Sequence, residues 1–97
     1  MTTEELHELW EKHDNDFIRF DRVAVKLSNR PDLHAFLLLD KLVPGTMDMV
    51  SAAEHDEIYL EVLPDELLAV ATEEQLIDLH RCGVRFSRSK GALCMFV

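Results

Sequence analysis

Glycine is scarce in this sequence of 97 residues: the three present, Gly45, Gly83 and Gly91, are scattered, and none opens a helix after a strand, so a phosphate-cradling loop is not available. Cysteine is limited to Cys82 and Cys94, far from any CxxC spacing, which suits small apolar filler in a reducing compartment. A GxSxG elbow is missing. Cys82 is the one cysteine beside a cation, Arg81, and it falls at an expected helix C-terminus, where the dipole disfavours thiolate, which argues against an acyl-transfer enzyme. No apolar run approaches the ~18 residues that span a bilayer, and the opening Met1-Thr2-Thr3-Glu4-Glu5 has neither the basic nor the apolar part of a secretory signal. A cytoplasmic protein with no membrane partner is the expectation. Linkers rich in Gly, Ser or Pro and internal repeats are also wanting, so a single domain over 1–97 is expected, small enough that oligomerisation would help its stability.

Positive charge is scarce where negative charge is dense. Within a net charge of −9, residues 31–80 carry twelve carboxylates against the single cation Lys41, whereas Arg81, Arg85, Arg88 and Lys90 follow with no acid. Such a field repels phosphate backbones, so no direct nucleic-acid partner is expected. The two short helices expected between Asp65 and Cys82 invite comparison with a helix-turn-helix, but Glu73, Glu74 and Asp78 would then face the phosphates.

What is present reads as α+β. Thr2 with Glu5 forms a capping box, and Leu6, Trp10, His13, Phe17, Phe20, Ala24 and Leu27 follow at steps of four and three, which predicts one long helix of about 39 Å if unbroken. Its weak point is Asp14-Asn15-Asp16, beyond which Arg22 to Leu27 alternates as a strand would. Pro31 and Asp32 open a second helix that Pro44-Gly45 ends; its many leucines make it the most buried helix expected, with His34 satisfied by a backbone carbonyl. Ile58, Leu60 and Val62 alternate with Glu57, Tyr59 and Glu61 as a half-buried strand, with Met49 to Ala53 as hairpin partner. Pro64-Asp65-Glu66 starts a short helix, and Thr72 with Gln75 caps another that ends at Cys82 and Gly83. Val84–Ser87 and Ala92–Val97 flank a polar turn, a C-terminal β-hairpin whose last strand, apolar on both faces, suits an inner position beside the Ile58 strand. Arg85 would then lie near Glu57 and Glu61. The expected architecture is therefore N-terminal helices, one long and one buried, packed on a small antiparallel sheet that includes the C-terminal hairpin.

The segment EHDEIYLEV (54–62) resembles the carboxylate-bearing hairpin motif of family A DNA polymerases, in which the residue matching Asp56 helps hold catalytic magnesium. Two-metal chemistry needs a second carboxylate motif, which this chain does not offer, and it lacks the length of a palm and fingers. The likeness implies a hairpin with His55-Asp56 as its turn. His7 and Glu11, one helical turn apart with Glu4 nearby, have a spacing that holds a divalent ion only weakly, and His80 and Cys82 point in different directions on a helix. The runs RPDLHAFLLLDKLVPG (30–45), AAEHDEIYLEV (52–62) and LHRCGV (79–84) resemble short uncharacterised proteins of bacteriophages and prophages. That resemblance carries over no catalytic residue and implies a small acidic protein that acts by binding.

The functional expectation is a non-enzymatic protein-interaction module, a regulator of phage type, without cofactor, whose acidic band meets a basic protein surface or which self-associates as a homodimer. Trp10, Phe17, Asp56, Glu57, Tyr59, Glu61, Glu73 and Glu74 are its candidate surface. Two alternatives are a metal-dependent site around His55, Asp56 and Glu57, and a purely structural homo-oligomer joined through the Leu6 to Leu27 stripe.

Overall fold

The first helix, α1 (Thr3–Lys12), starts where its capping box places it: the Thr2 hydroxyl accepts from the Glu5 N–H at 3.1 Å, and the Glu5 carboxylate accepts from the Thr2 N–H at 2.9 Å. In the computed structural model, which describes residues 1–96, α1 ends at Lys12 and does not continue to Leu27. Two 3₁₀ turns follow, Asp14–Asp16 and Phe20–Arg22, and then an irregular stretch, so the predicted long helix and the alternative strand at Arg22 to Leu27 are both corrected. The physical reason is partly local, since Asp-Asn-Asp side chains compete for backbone hydrogen bonds. It is also global: an unbroken helix of about 39 Å would overshoot a molecule whose largest extent is 28 Å.

A long-range ion cluster pins the break. Asp16, nearly buried, accepts from Arg22 Nη1 and from Arg81 Nε, both at 3.1 Å, and lies 3.3 Å from His13 Nδ1. Arg81 also donates to Asp78 at 2.8 Å and to Glu74 at 3.1 Å. The two guanidiniums, Arg81 first, hold the Asp16 carboxyl down at about 2.

Pro31 occupies the first turn of α2 (Pro31–Leu42), and the chain leaves it through Val43 and Pro44 to Gly45, whose φ of +95° suits glycine. Ala35, Leu38 and Leu39 face inward, but Leu33 and Leu37 are 43% and 47% exposed, so α2 is not the most buried helix the leucine count predicts. His34 is buried, and its Nδ1 accepts the Leu27 N–H at 3.0 Å, the reverse of the expected bond to a carbonyl. The helix thus anchors the irregular stretch before it.

The predicted hairpin forms between β1 (Val50–Glu54) and β2 (Glu57–Leu60), with His55 at φ +56° in the two-residue turn and a bulge at Ser51. Next come α3 (Pro64–Val70) and α4 (Glu73–Arg81), the latter opened by the Thr72–Gln75 capping box. At its far end Gly83, at φ +101°, lets its own N–H reach the His80 carbonyl and the Val84 N–H reach that of Leu79, both at 3.0 Å. Finally β3 (Arg85–Ser87) and β4 (Ala92–Phe96) make the C-terminal hairpin; Val97 lies outside the described residues.

All strand pairs are antiparallel, in the order β1-β2-β4-β3, so β4 is an inner strand as its apolar sequence predicts. Leu60, Leu93 and Met95 face the helices and join Leu6, Trp10, Ala35, Leu39, Leu67, Leu76 and Leu79 in one continuous core. On the opposite face Arg85 reaches across buried Cys94 to pair with Glu57, which cancels part of the charge asymmetry inside the fold. Arg85 also lies 4.1 Å over the Phe96 ring.

Candidate interaction groove

The helices do not cover the whole inner face of the sheet. Toward the β1–β2 turn Ile58 is only half-buried, and a groove of about 600 Å³ opens there, floored by Ile58 and Met95. The Phe17-Ile18 corner, the Pro31-Asp32 start of α2 with Phe36, the edge residue Val50, and Cys82-Gly83 complete its walls, with Phe96 at one end. Its lining is almost entirely apolar, and Asp32 is its one charged side chain. A concave apolar site of this size with few polar groups is the usual form of a binding site.

Ile18 forms part of the rim in an unusual conformation. Its φ is +60°, which a β-branched residue adopts only under constraint, yet its side chain is 60% exposed. The constraint is visible: the Asp16 cluster fixes the chain just before it, and the Ile18 N–H donates to the His80 carbonyl at 3.3 Å. Strain of this kind persists only where the surrounding structure over-determines the backbone. Gly83 beneath it leaves a gap in which an added Cβ would lie 3.9 Å from Ile18 Cγ1.

The candidate surface residues from the sequence do not form one surface. Trp10 is a core residue: its indole N–H donates to the Leu76 carbonyl at 2.9 Å, and its ring stacks on His80 at 5.3 Å. Leu6 is also in the core, so the Leu6 to Leu27 stripe is not a continuous seam for a second copy. Phe17 is half-buried, tilted against His80, and borders the groove. Asp56, Glu57 and Tyr59 do come together, around a shallower concavity of about 350 Å³ shared with Phe96. There Glu57 accepts from the Tyr59 hydroxyl at 3.0 Å, which raises the tyrosine's pKa. Glu61 lies elsewhere and accepts the Asp48 N–H at 2.9 Å; Glu73 and Glu74 sit at the start of α4, where Glu74 is tied to Arg81.

Among the described residues no three His, Cys, Asp or Glu side chains are grouped so as to hold a metal ion, the His55, Asp56 and Glu57 turn included. The cysteines are no better placed for chemistry, since burial pushes the Cys82 thiol up to about 12 and raises that of Cys94 as well. No helix of the described residues is long and apolar enough to cross a membrane.

The acidic band stays largely free. Of its twelve carboxylates, Glu54, Glu57, Glu74 and Asp78 pair with Lys90, Arg85 or Arg81, while Asp32, Asp40, Asp48, Asp56, Glu61, Asp65, Glu66 and Glu73 have no cationic partner among the described residues. The groove itself was not legible in the sequence. Phe36, Val50, Ile58 and Met95 all belong to regular apolar patterns, and only their failure to be covered makes them a site. No family model matches the chain, and no curated protein or solved structure matches it significantly.

Proposed function

We propose that the protein is a non-enzymatic interaction module whose apolar groove receives a segment of a basic protein. The observation that carries this reading is the groove of about 600 Å³ with an apolar lining and exposed Ile18 and Val50 on its rim. Eight carboxylates without cationic partners among the described residues supply a long-range attraction that selects positive partners and speeds their encounter, while the groove supplies affinity by burying apolar anchors. Acting by occupancy of a basic protein's binding surface is the behaviour expected of a small regulator.

The test is capture from lysate at low salt, identification of the retained protein, and calorimetric titration of the purified pair. Affinity should fall as sodium chloride rises, and Ile18→Asp and Val50→Asp, both at exposed positions, should weaken binding about tenfold each without unfolding the protein. A partner whose affinity ignores both substitutions would rule out the groove.

A further inference from the structure

The two edges of the sheet are not alike. β3 is only three residues long and packs against α1, whereas β1 has five residues, every one exposed. Sheet edges are usually blunted by lysine, proline, shortness or a covering element, because their unpaired N–H and C=O groups recruit other strands. Within β1, Val50-Ser51-Ala52-Ala53-Glu54, there is neither lysine nor proline; the bulge at Ser51 interrupts the edge at one end and leaves Ala52 to Glu54 regular, where the alanine side chains are small enough for another backbone to approach. The two-residue turn makes Glu54 and Glu57 the hydrogen-bonded closing pair, which leaves the N–H and C=O of Ala53 directed away from β2.

The register fixes what a newcomer would meet. Val50 and Ala53 lie on the sheet face of Leu60 and Ile58, the groove side, while Ala52 and Glu54 lie on the face of Tyr59 and Glu57. We infer that β1 accepts an added strand, an extended segment of a basic protein whose alternate side chains are apolar toward the groove and cationic toward Asp56 at the turn. This rests on the basic-partner reading above and specifies the partner's conformation and sequence pattern. A second copy of the chain is a poor occupant, since pairing β1 with β1 would bring Asp48, Glu54 and Asp56 of two molecules of charge −9 together.

The experiment is selection of a displayed library of random short peptides on the intact protein. Enriched peptides should alternate apolar residues with Lys or Arg. N-methylation of the alternate amides that face β1 should weaken binding about tenfold, and methylation of the other set should not. Ala53→Pro should reproduce the loss, because its N–H serves no bond within the hairpin; should that variant misfold, methylated peptides on the unaltered protein decide alone. Peptides with apolar residues at helical spacing, or insensitive to methylation yet weakened by Ile18→Asp, would overturn strand addition and leave the groove reading intact. No enrichment on folded protein would overturn both. A concentration-dependent dimer that Ala53→Pro abolishes would make the second copy the occupant and overturn the basic segment.

Discussion

Ile18 and His80, joined by a backbone hydrogen bond, are both held by their surroundings in states that run against their own preference. Replacing Ile18 by Asn, which tolerates φ near +60°, should relieve strain of about 1 kcal/mol while losing little packing, so urea unfolding should show a stability gain of about 0.5–1 kcal/mol. His80 lies buried between Trp10 and Phe17; desolvation lowers its pKa, opposed by the bond to the Val84 carbonyl at 2.9 Å, which requires the proton on Nδ1. His34 is lowered for the same first reason. A base with a depressed folded pKa leaves the native state holding fewer protons than the unfolded chain. The stability tied to its neutral form is complete above the ordinary 6.5 and is lost as pH falls below it toward the lowered folded value. Urea midpoints should therefore drop on moving from pH 7 to pH 5, and His80→Phe should flatten that slope.

At the scale of elements, the Asp16 cluster ties the end of α1 to α4 across 65 residues of sequence. Asp16→Asn removes the carboxylate that Arg81 and Arg22 share and should cost about 1–2 kcal/mol in chemical denaturation, since two charge-assisted hydrogen bonds are lost although Arg81 keeps Asp78 and Glu74. In the unaltered protein the carboxyl's folded pKa is depressed, so its contribution is complete above the ordinary 3.8 and fades as pH falls from there through about 2. Asp16→Asn should lack this acid-limb loss. The Thr72 capping box makes a smaller contribution: Thr72→Ala leaves the Gln75 N–H unpaired and should lower stability by about 1 kcal/mol.

For the molecule as a whole, the inward placement of Leu6 and Trp10 bears on self-association. If the N-terminal stripe serves the internal core, Phe17→Asp should destabilise the protein, through lost contact with His80, without changing the molar mass measured by light scattering. The charge excess acts at the same scale. Among the described residues, ion pairs at β3–β4 and at Arg81 neutralise four carboxylates of the acidic band, and the remaining negative charge sets the salt dependence expected of partner binding.

Much of the fold follows from residues that act on their near neighbours. Thr2 with Glu5 and Thr72 with Gln75 fix two helix starts, Pro31 and Pro64 two more, Gly83 a helix end, and the alternation of Ile58 and Leu60 with Glu57 and Tyr59 a strand. Periodicity alone overextended α1, because it records which residues are apolar and not whether a straight rod fits the body it belongs to. Tertiary structure decided what depends on distant partners: the break that Arg81 stabilises at Asp16, the burial of Trp10 against Leu76, and the inverted bond at His34. It also decided the groove, for Ile58 and Met95 carry the same apolar pattern as any core strand residue, and only the reach of the helices across the sheet determines which of them meets solvent.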